Sequence, residues 1–288
     1  MSEIEQHPYR WVIVIAAALI LALSMGAIVN GMSAYIVPLQ DSYGWARADI
    51  SLINVSGIVG LAFGGVLTGA LADKFGTRPV VLIGGLAMGL SYLGASYATA
   101  LWQFYVLMFI AGFFGAAAIS PPLLAAVGSW FPKGAGLAIG IAAAGQALGQ
   151  GGVPFASSLL IQSVGTAKAL TVTGVAMLLL LVPLALVLRQ PPKSVLAAGT
   201  RAADQSGGFQ KFSVFVPTMS LATFLCCTCM SIPLMHLVPL IQDKGFAADQ
   251  AGRVIFVMLM VAITGRVAFG KFADIIGPLR SYMTATAW

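Results

Sequence analysis

"GALADKFGTRP" (Gly69–Pro79) joins two long apolar runs and places an acid, Asp73, at the C-terminal end of the first. A helix dipole is negative there, so Asp73 is poorly matched to its own helix and needs another partner, either a neighbouring helix N-terminus or an arginine. Gly69 permits close helix contact, Gly76 allows a tight turn, and Arg78 opens the next helix. The stretch recurs as "GKFADIIGPLR" (Gly270–Arg280), in which Gly69, Ala72, Asp73 and Gly76 return as Gly270, Ala273, Asp274 and Gly277, a shift of 201 residues. Leu279 stands where Arg78 stood, with Arg280 one residue further on.

The same shift carries Gly64 and Val66 onto Gly265 and Val267, Gly44 and Ala46 onto Gly245 and Ala247, and "VPL" at Val37–Leu39 onto Val238–Leu240. Gly and Ala match by chance in so apolar a chain. A constant offset that also carries proline and two aspartates is a repeat. The first two spans therefore return as the seventh and eighth, which predicts two six-helix halves related about the membrane normal. Completing that repeat takes four more helices than the sequence holds, so the expectation is a piece of a longer carrier or a broken gene.

Composition fixes the class. The chain has 288 residues, 59% of them hydrophobic and 8% charged, against about 25% charged in soluble domains. Arg78 and Lys133 bracket 54 residues without a charge, and Trp11–Gln40 is a second uncharged run. A bilayer-spanning helix needs roughly 20 such residues. The runs are apolar on all sides, whereas barrel strands alternate with polar lumen positions. The expectation is an all-α polytopic membrane protein with spans near 11–39, 50–72, 79–98, 102–126, 135–159, 169–189, 213–239 and 251–273. The first run is too long for a signal peptide h-region. The halves read as a bundle over 1–189, a linker over 190–212, and a partial second bundle over 213–288.

With the N-terminus cytoplasmic, Arg10, Lys74, Arg78, Lys133, Arg189, Lys193, Arg201, Lys211, Lys271 and Arg280 share the inner face. Arg47, Lys168, Lys244 and Arg253 share the other, which satisfies the positive-inside rule and sets the expected orientation in the plasma (inner) membrane. The net charge of +6 thus follows from topology and does not call for a nucleic-acid partner. Cys226, Cys227 and Cys229 sit together in one apolar segment and read as buried thiols, without a disulfide framework or a metal.

Gly69, Asp73, Gly76 and Arg78 after the second span closely resemble the signature loop of the major facilitator superfamily, and Gly270, Asp274 and Gly277 resemble its second copy. The resemblance implies a loop that latches the two halves in one state of an alternating-access cycle. "YGWARADIS" (Tyr43–Ser51) and "SWFPKGAGLAIGIAAAGQALG" (Ser129–Gly149) resemble the monocarboxylate transporter and oxalate–formate antiporter branch. Lys133 alone stands where those proteins often carry a basic cluster, and Met108 lies about where drug and sugar carriers have an arginine in span four.

Arg266 lies inside span eight, thirteen residues after Arg253 and five before Lys271, or about 20 Å and about 7 Å along a helix. Its repeat partner is Gly65, so the fold itself does not call for an arginine at this level. Snorkelling to the headgroups is one reading. The other is a carboxylate site, because a planar fork of donors matches a carboxylate and burial of an unpaired cation is costly. In the resembled branch, span eight carries an anion-binding arginine that maps onto Arg266. The aspartate that precedes it by one turn in some members is Ala262 here, so proton coupling through such a pair is not expected.

Asn30, Tyr35, Asn54 and Gln146, with Gln150 on the same face, are candidate cavity residues or interhelical glue. His236, the repeat partner of Tyr35, is a candidate proton carrier or an interfacial histidine bonded to backbone. The combined expectation is a secondary transporter for a small organic anion, a monocarboxylate first, by proton symport or anion exchange, monomeric when full length. No cofactor is expected, and no GxxxxGK[ST] loop marks a primary pump. The alternatives are a drug or other-solute efflux carrier, and a transport-inactive remnant or sensor on the same scaffold. An enzyme is not expected, since no paired carboxylates or Ser-His-Asp set lies at membrane depth.

Overall fold

The computed structural model describes residues 9–131, 134–189, scattered helical positions between 217 and 225, and 248–287. The linker, Lys133, the three cysteines and His236 lie outside the described residues. Everything described is helix or short turn, in agreement with the all-α expectation. Span one is Tyr9–Tyr43, span two Arg47–Phe75, span three Thr77–Ser96, span four Leu101–Ser129 and span six Thr166–Val187; these five are long and apolar enough to cross a membrane. Span five, Ala135–Val164, is longer than most but carries Gln146, Gln150 and many glycines. Span eight is Ala248–Ile276, and a short helix Pro278–Ala287 follows it.

Span one departs from the uniform helix expected from its hydropathy. It is α-helical to Met25, widens to a π-helix over Gly26–Asn30, tightens to a 3-10 turn over Gly31–Tyr35, and resumes as α-helix at Ile36. Span four also contains a π-turn, Ala111–Ala116, just before Pro121 and Pro122. Proline has no N–H to give to the carbonyl four residues back, and in a membrane that orphaned acceptor must be filled from elsewhere. Pro121 frees the carbonyl of Ala117, and the Thr68 hydroxyl of span two donates to it at 2.9 Å. Pro154 frees the carbonyl of Gln150, and the Asn30 amide of span one donates to it at 3.1 Å. In the distorted part of span one, Asn54 donates to the carbonyl of Val29 at 3.0 Å and Tyr92 to that of Ala27 at 2.9 Å.

Spans pack mainly as one with five, two with four, three with four and six, and five with eight. Lipid supplies no hydrophobic drive between helices, so close approach and van der Waals contact must hold them. Glycine makes the approach possible at these crossings. A Cβ added at Gly149 would lie 1.8 Å from the Ala22 carbonyl oxygen, and one at Gly112 would lie 2.0 Å from that of Gly57. Gly76 and Gly277, the paired loop glycines of the repeat, have the same φ of 91°. That value is strained for any residue with a Cβ.

Gly149→Val should drive a side chain into the backbone of span one. Overpacking of this kind costs about 1–3 kcal/mol. Gly152 lies on the same span with nothing within 4 Å of an added Cβ. Thermal unfolding in detergent is expected to show a marked loss for Gly149→Val and none for Gly152→Ala.

Candidate functional site at the span five and span eight crossing

Span eight ends at Ile276, so Asp274 faces the negative pole of its own helix. Span five begins at Ala135 after Gly134, whose φ of +78° turns the chain into the helix, and no side chain of its own caps the free N–H groups. Asp274 supplies the missing acceptor from across the crossing. Its Oδ1 accepts the N–H of Gly136 at 2.8 Å and its Oδ2 accepts that of Leu137 at 2.9 Å. One carboxylate thus satisfies two orphan donors and meets a positive helix end. The contact needs glycine on both helices. A Cβ on Gly136 would lie 2.3 Å from the Gly270 carbonyl oxygen, and one on Gly270 would lie 2.4 Å from that of Gly136.

The first copy of the motif has no such partner. Asp73 and Arg78 are exposed, and among the described residues neither makes a hydrogen bond or an ion pair. An added Cβ on Gly69 or Gly65 would meet nothing within 4 Å.

Arg266 lies two turns above Asp274 on span eight and is half-buried. Its Nη1 donates to the carbonyl of Ala143 on span five at 2.6 Å. The approach again depends on glycine, because a Cβ on Gly140 would lie 2.6 Å from the Arg266 carbonyl oxygen. The guanidinium has five N–H donors, and among the described residues no other partner takes them. Two turns along span five, Asn30 holds the carbonyl of Gln150. The two bonded carbonyls are seven residues apart, about 10 Å. Gln146 lies between them on nearly the same face, half-buried and without a hydrogen bond among the described residues.

The other candidates are placed as follows. Tyr35 is fully buried, its hydroxyl 3.5 Å from Thr173 Oγ1 of span six. Asn54 spends its amide N–H on Val29, while its Oδ1 is buried without a partner. The structure therefore brings Arg266, Gln146 and Asn30 together along span five and sets Tyr35 among the helices of the first bundle. Ala143 and Leu137 escape a reading of residue types because they act through backbone atoms, whereas Gly136, with Gly140, Gly145 and Gly149, is legible as a close-packing glycine and adds an N–H to the same contact. Pro154 was the visible signal that the Gln150 carbonyl needs a donor.

The pattern of the Major Facilitator Superfamily matches residues 9–287. The chain belongs to this family. It is similar to Monocarboxylate transporter 13 of Bos taurus, 28% identical over 282 residues that cover 94% of this chain and 63% of that protein. It is similar to Monocarboxylate transporter 11 of Homo sapiens, 28% identical with 92% and 56% covered. It is also similar to the Fujikurins efflux protein of Gibberella fujikuroi, 28% identical with 86% and 52% covered. The chain thus spans between about half and two thirds of the length of these relatives. Among solved structures, that of a proton:xylose symporter bound to 6-bromo-6-deoxy-D-glucose matches with a TM-score of 0.75 at 16% identity, covering 93% of this chain and 70% of that one. Fold and relatives are those of membrane carriers, not enzymes.

Asp274→Ala should leave the Gly136 and Leu137 N–H groups without acceptors, at about 1 kcal/mol or more for a lost helix cap. Asp73→Ala should leave stability unchanged or slightly raised, because Asp73 holds nothing among the described residues and faces the negative end of its own helix. Paired thermal melts in the same detergent check the difference.

Proposed function

We propose that the protein is a secondary transporter of a small organic anion, a monocarboxylate first, working by alternating access. The observation that carries this reading is Arg266. It is a half-buried cation at membrane depth with one N–H on a backbone carbonyl and, among the described residues, no other partner for its fork. A carboxylate supplies the two parallel acceptors that such a fork matches. Gln146 adds a neutral donor and acceptor one turn from Ala143, and Asn30 and Asn54 hold the broken segment of span one that borders it. The likeness to proteins named monocarboxylate transporters supports the same substrate class. Tyr35 stands further along span one, and His236, outside the described residues, is by its chemistry the residue able to carry a proton.

Asp274 on the N-terminus of span five serves in this reading as one latch. The Gly69, Asp73, Gly76 and Arg78 loop serves as its counterpart. The N-terminus lies in the cytoplasm and the protein in the plasma membrane, consistent with the excess of Lys and Arg on that face. With Ala262 one turn before Arg266, no carboxylate at that position shares the proton, so anion exchange and a His236-linked symport are both compatible with the site.

A second reading, efflux of larger solutes, draws on the likeness to the Fujikurins efflux protein. The two readings differ at Arg266. Uptake of radiolabelled monocarboxylate into proteoliposomes should fall by about tenfold or more in Arg266→Ala, the scale of a lost charge-assisted pair. Arg266→Lys should lose much of it, since an ammonium lacks the planar fork. Full uptake in both variants rejects the anion site. Retained efflux of an apolar solute in Arg266→Ala would favour the second reading.

A further inference from the structure

Three chain segments meet at the end of the first six spans where span one begins, and they bring two arginines over two aromatic pairs that are neighbours in sequence. Tyr9 donates its hydroxyl to the carbonyl of Val187 at the end of span six, at 2.5 Å. Trp130, just beyond span four, donates its indole N–H to the carbonyl of Arg189 at 3.1 Å. The Tyr9 and Trp130 rings are 6.3 Å apart, and Trp11 meets Phe131 edge-on at 5.4 Å. The Arg189 guanidinium lies 4.9 Å over the Tyr9 ring, and that of Arg10 lies 5.3 Å over Phe131.

The attraction of a cation for the ring face holds each guanidinium beside its ring and spends none of its five N–H donors on an ordinary hydrogen bond. Neither arginine has a carboxylate partner among the described residues. Trp130 and Phe131 are buried, Trp11 is 40% exposed, and Arg189 is exposed. This is the layout of a membrane–water interface, with amphipathic rings at headgroup level. Below Arg189 the outward face of span six is apolar, with Leu179 67% and Leu186 47% exposed. A ligand here meets cationic donors at the level of the headgroups and hydrocarbon directly beneath them.

We propose that Arg10 and Arg189, held by Tyr9, Trp130 and Phe131, form a binding site for the phosphate of an anionic phospholipid, whose acyl chain runs along Leu186 and Leu179 of span six. The site ties the start of span one to the ends of spans four and six, so a bound lipid braces the first bundle at one face. It is independent of the transported solute.

The test uses the full chain in vesicles of phosphatidylglycerol and phosphatidylcholine in equal amounts, gently extracted, with retained lipid read by native mass spectrometry. The unaltered chain is expected to retain phosphatidylglycerol over phosphatidylcholine by about tenfold, the scale of two interfacial arginines. Arg10→Gln with Arg189→Gln should remove the preference, whereas Arg47→Gln, at the opposite end of the bundle, should leave it. If the double variant does not fold, Arg189→Lys alone decides: it keeps the charge, loses the forked N–H donors that match a phosphate, and should lower the preference severalfold. An undiminished preference in the folded double variant or in Arg189→Lys overturns the site. So does an equal loss in Arg47→Gln, which reports bulk charge. Loss of retained phosphatidylglycerol in millimolar inorganic phosphate, without a general effect of salt, assigns the arginines to a free anion and overturns the lipid assignment.

Discussion

A backbone carbonyl that loses its helical donor inside a bilayer must find another, and the first bundle is organised around that requirement. Pro154 and Pro121 each orphan one carbonyl, and each is answered by a polar side chain from a different span, Asn30 and Thr68. The distorted stretch of span one creates further demands, met by Asn54 and Tyr92. These bonds run between helices, so satisfying the backbone also fixes which helices are neighbours. The same residues that bend a span thus specify its place. A substituted helix without the bend would not need the partner, and the partner's amide would then be the buried orphan.

Span five is where these demands converge. Its glycines admit the backbone of span one at Ala18 and Ala22 on one side and that of span eight at Arg266 and Gly270 on the other. Its N-terminus takes Asp274, its Ala143 carbonyl takes Arg266, and its Gln150 carbonyl takes Asn30. Neither packing nor polarity alone accounts for this helix. Without the glycines the polar groups could not reach its backbone, and without those groups two close backbones would have little to hold their register.

The sequence made the all-α membrane class and the helices of spans one to six and eight legible because each depends on composition, while span seven lies outside the described residues. It also showed that an aspartate at a helix C-terminus wants a partner, and for Asp274 that partner is a helix N-terminus. The particular helix was not legible, since an N–H group leaves no trace in residue identity. Arg266 was visible by its depth, but its bond to Ala143 was not. Asn30 and Asn54 were open between cavity and glue; in this conformation both hold backbone carbonyls. The break in span one was signalled only by Gly26, Asn30 and Gly31 within an otherwise even run, too weak a pattern to read without Pro154 across from it. Span eight runs three residues beyond the hydropathy reading at each end, Ala248–Gln250 and Asp274–Ile276, and each extension carries one aspartate.

Arg266 and Asp274 lie on one helix, eight residues or about 12 Å apart, and both are bonded to the same neighbour. Under the transport reading this has a mechanical consequence. An anion that takes the Arg266 fork competes with the Ala143 carbonyl for its donors, while the Asp274 cap at the far end of the same seam is untouched. Binding therefore shifts the balance of bonds along one crossing and leaves its two ends unequal. A ligand moves a conformational equilibrium only by the difference in its affinity for the two states. Here that difference has a physical source: the state in which span eight has drawn away from Ala143 presents an unoccupied fork, and the state described here presents one already partly spent.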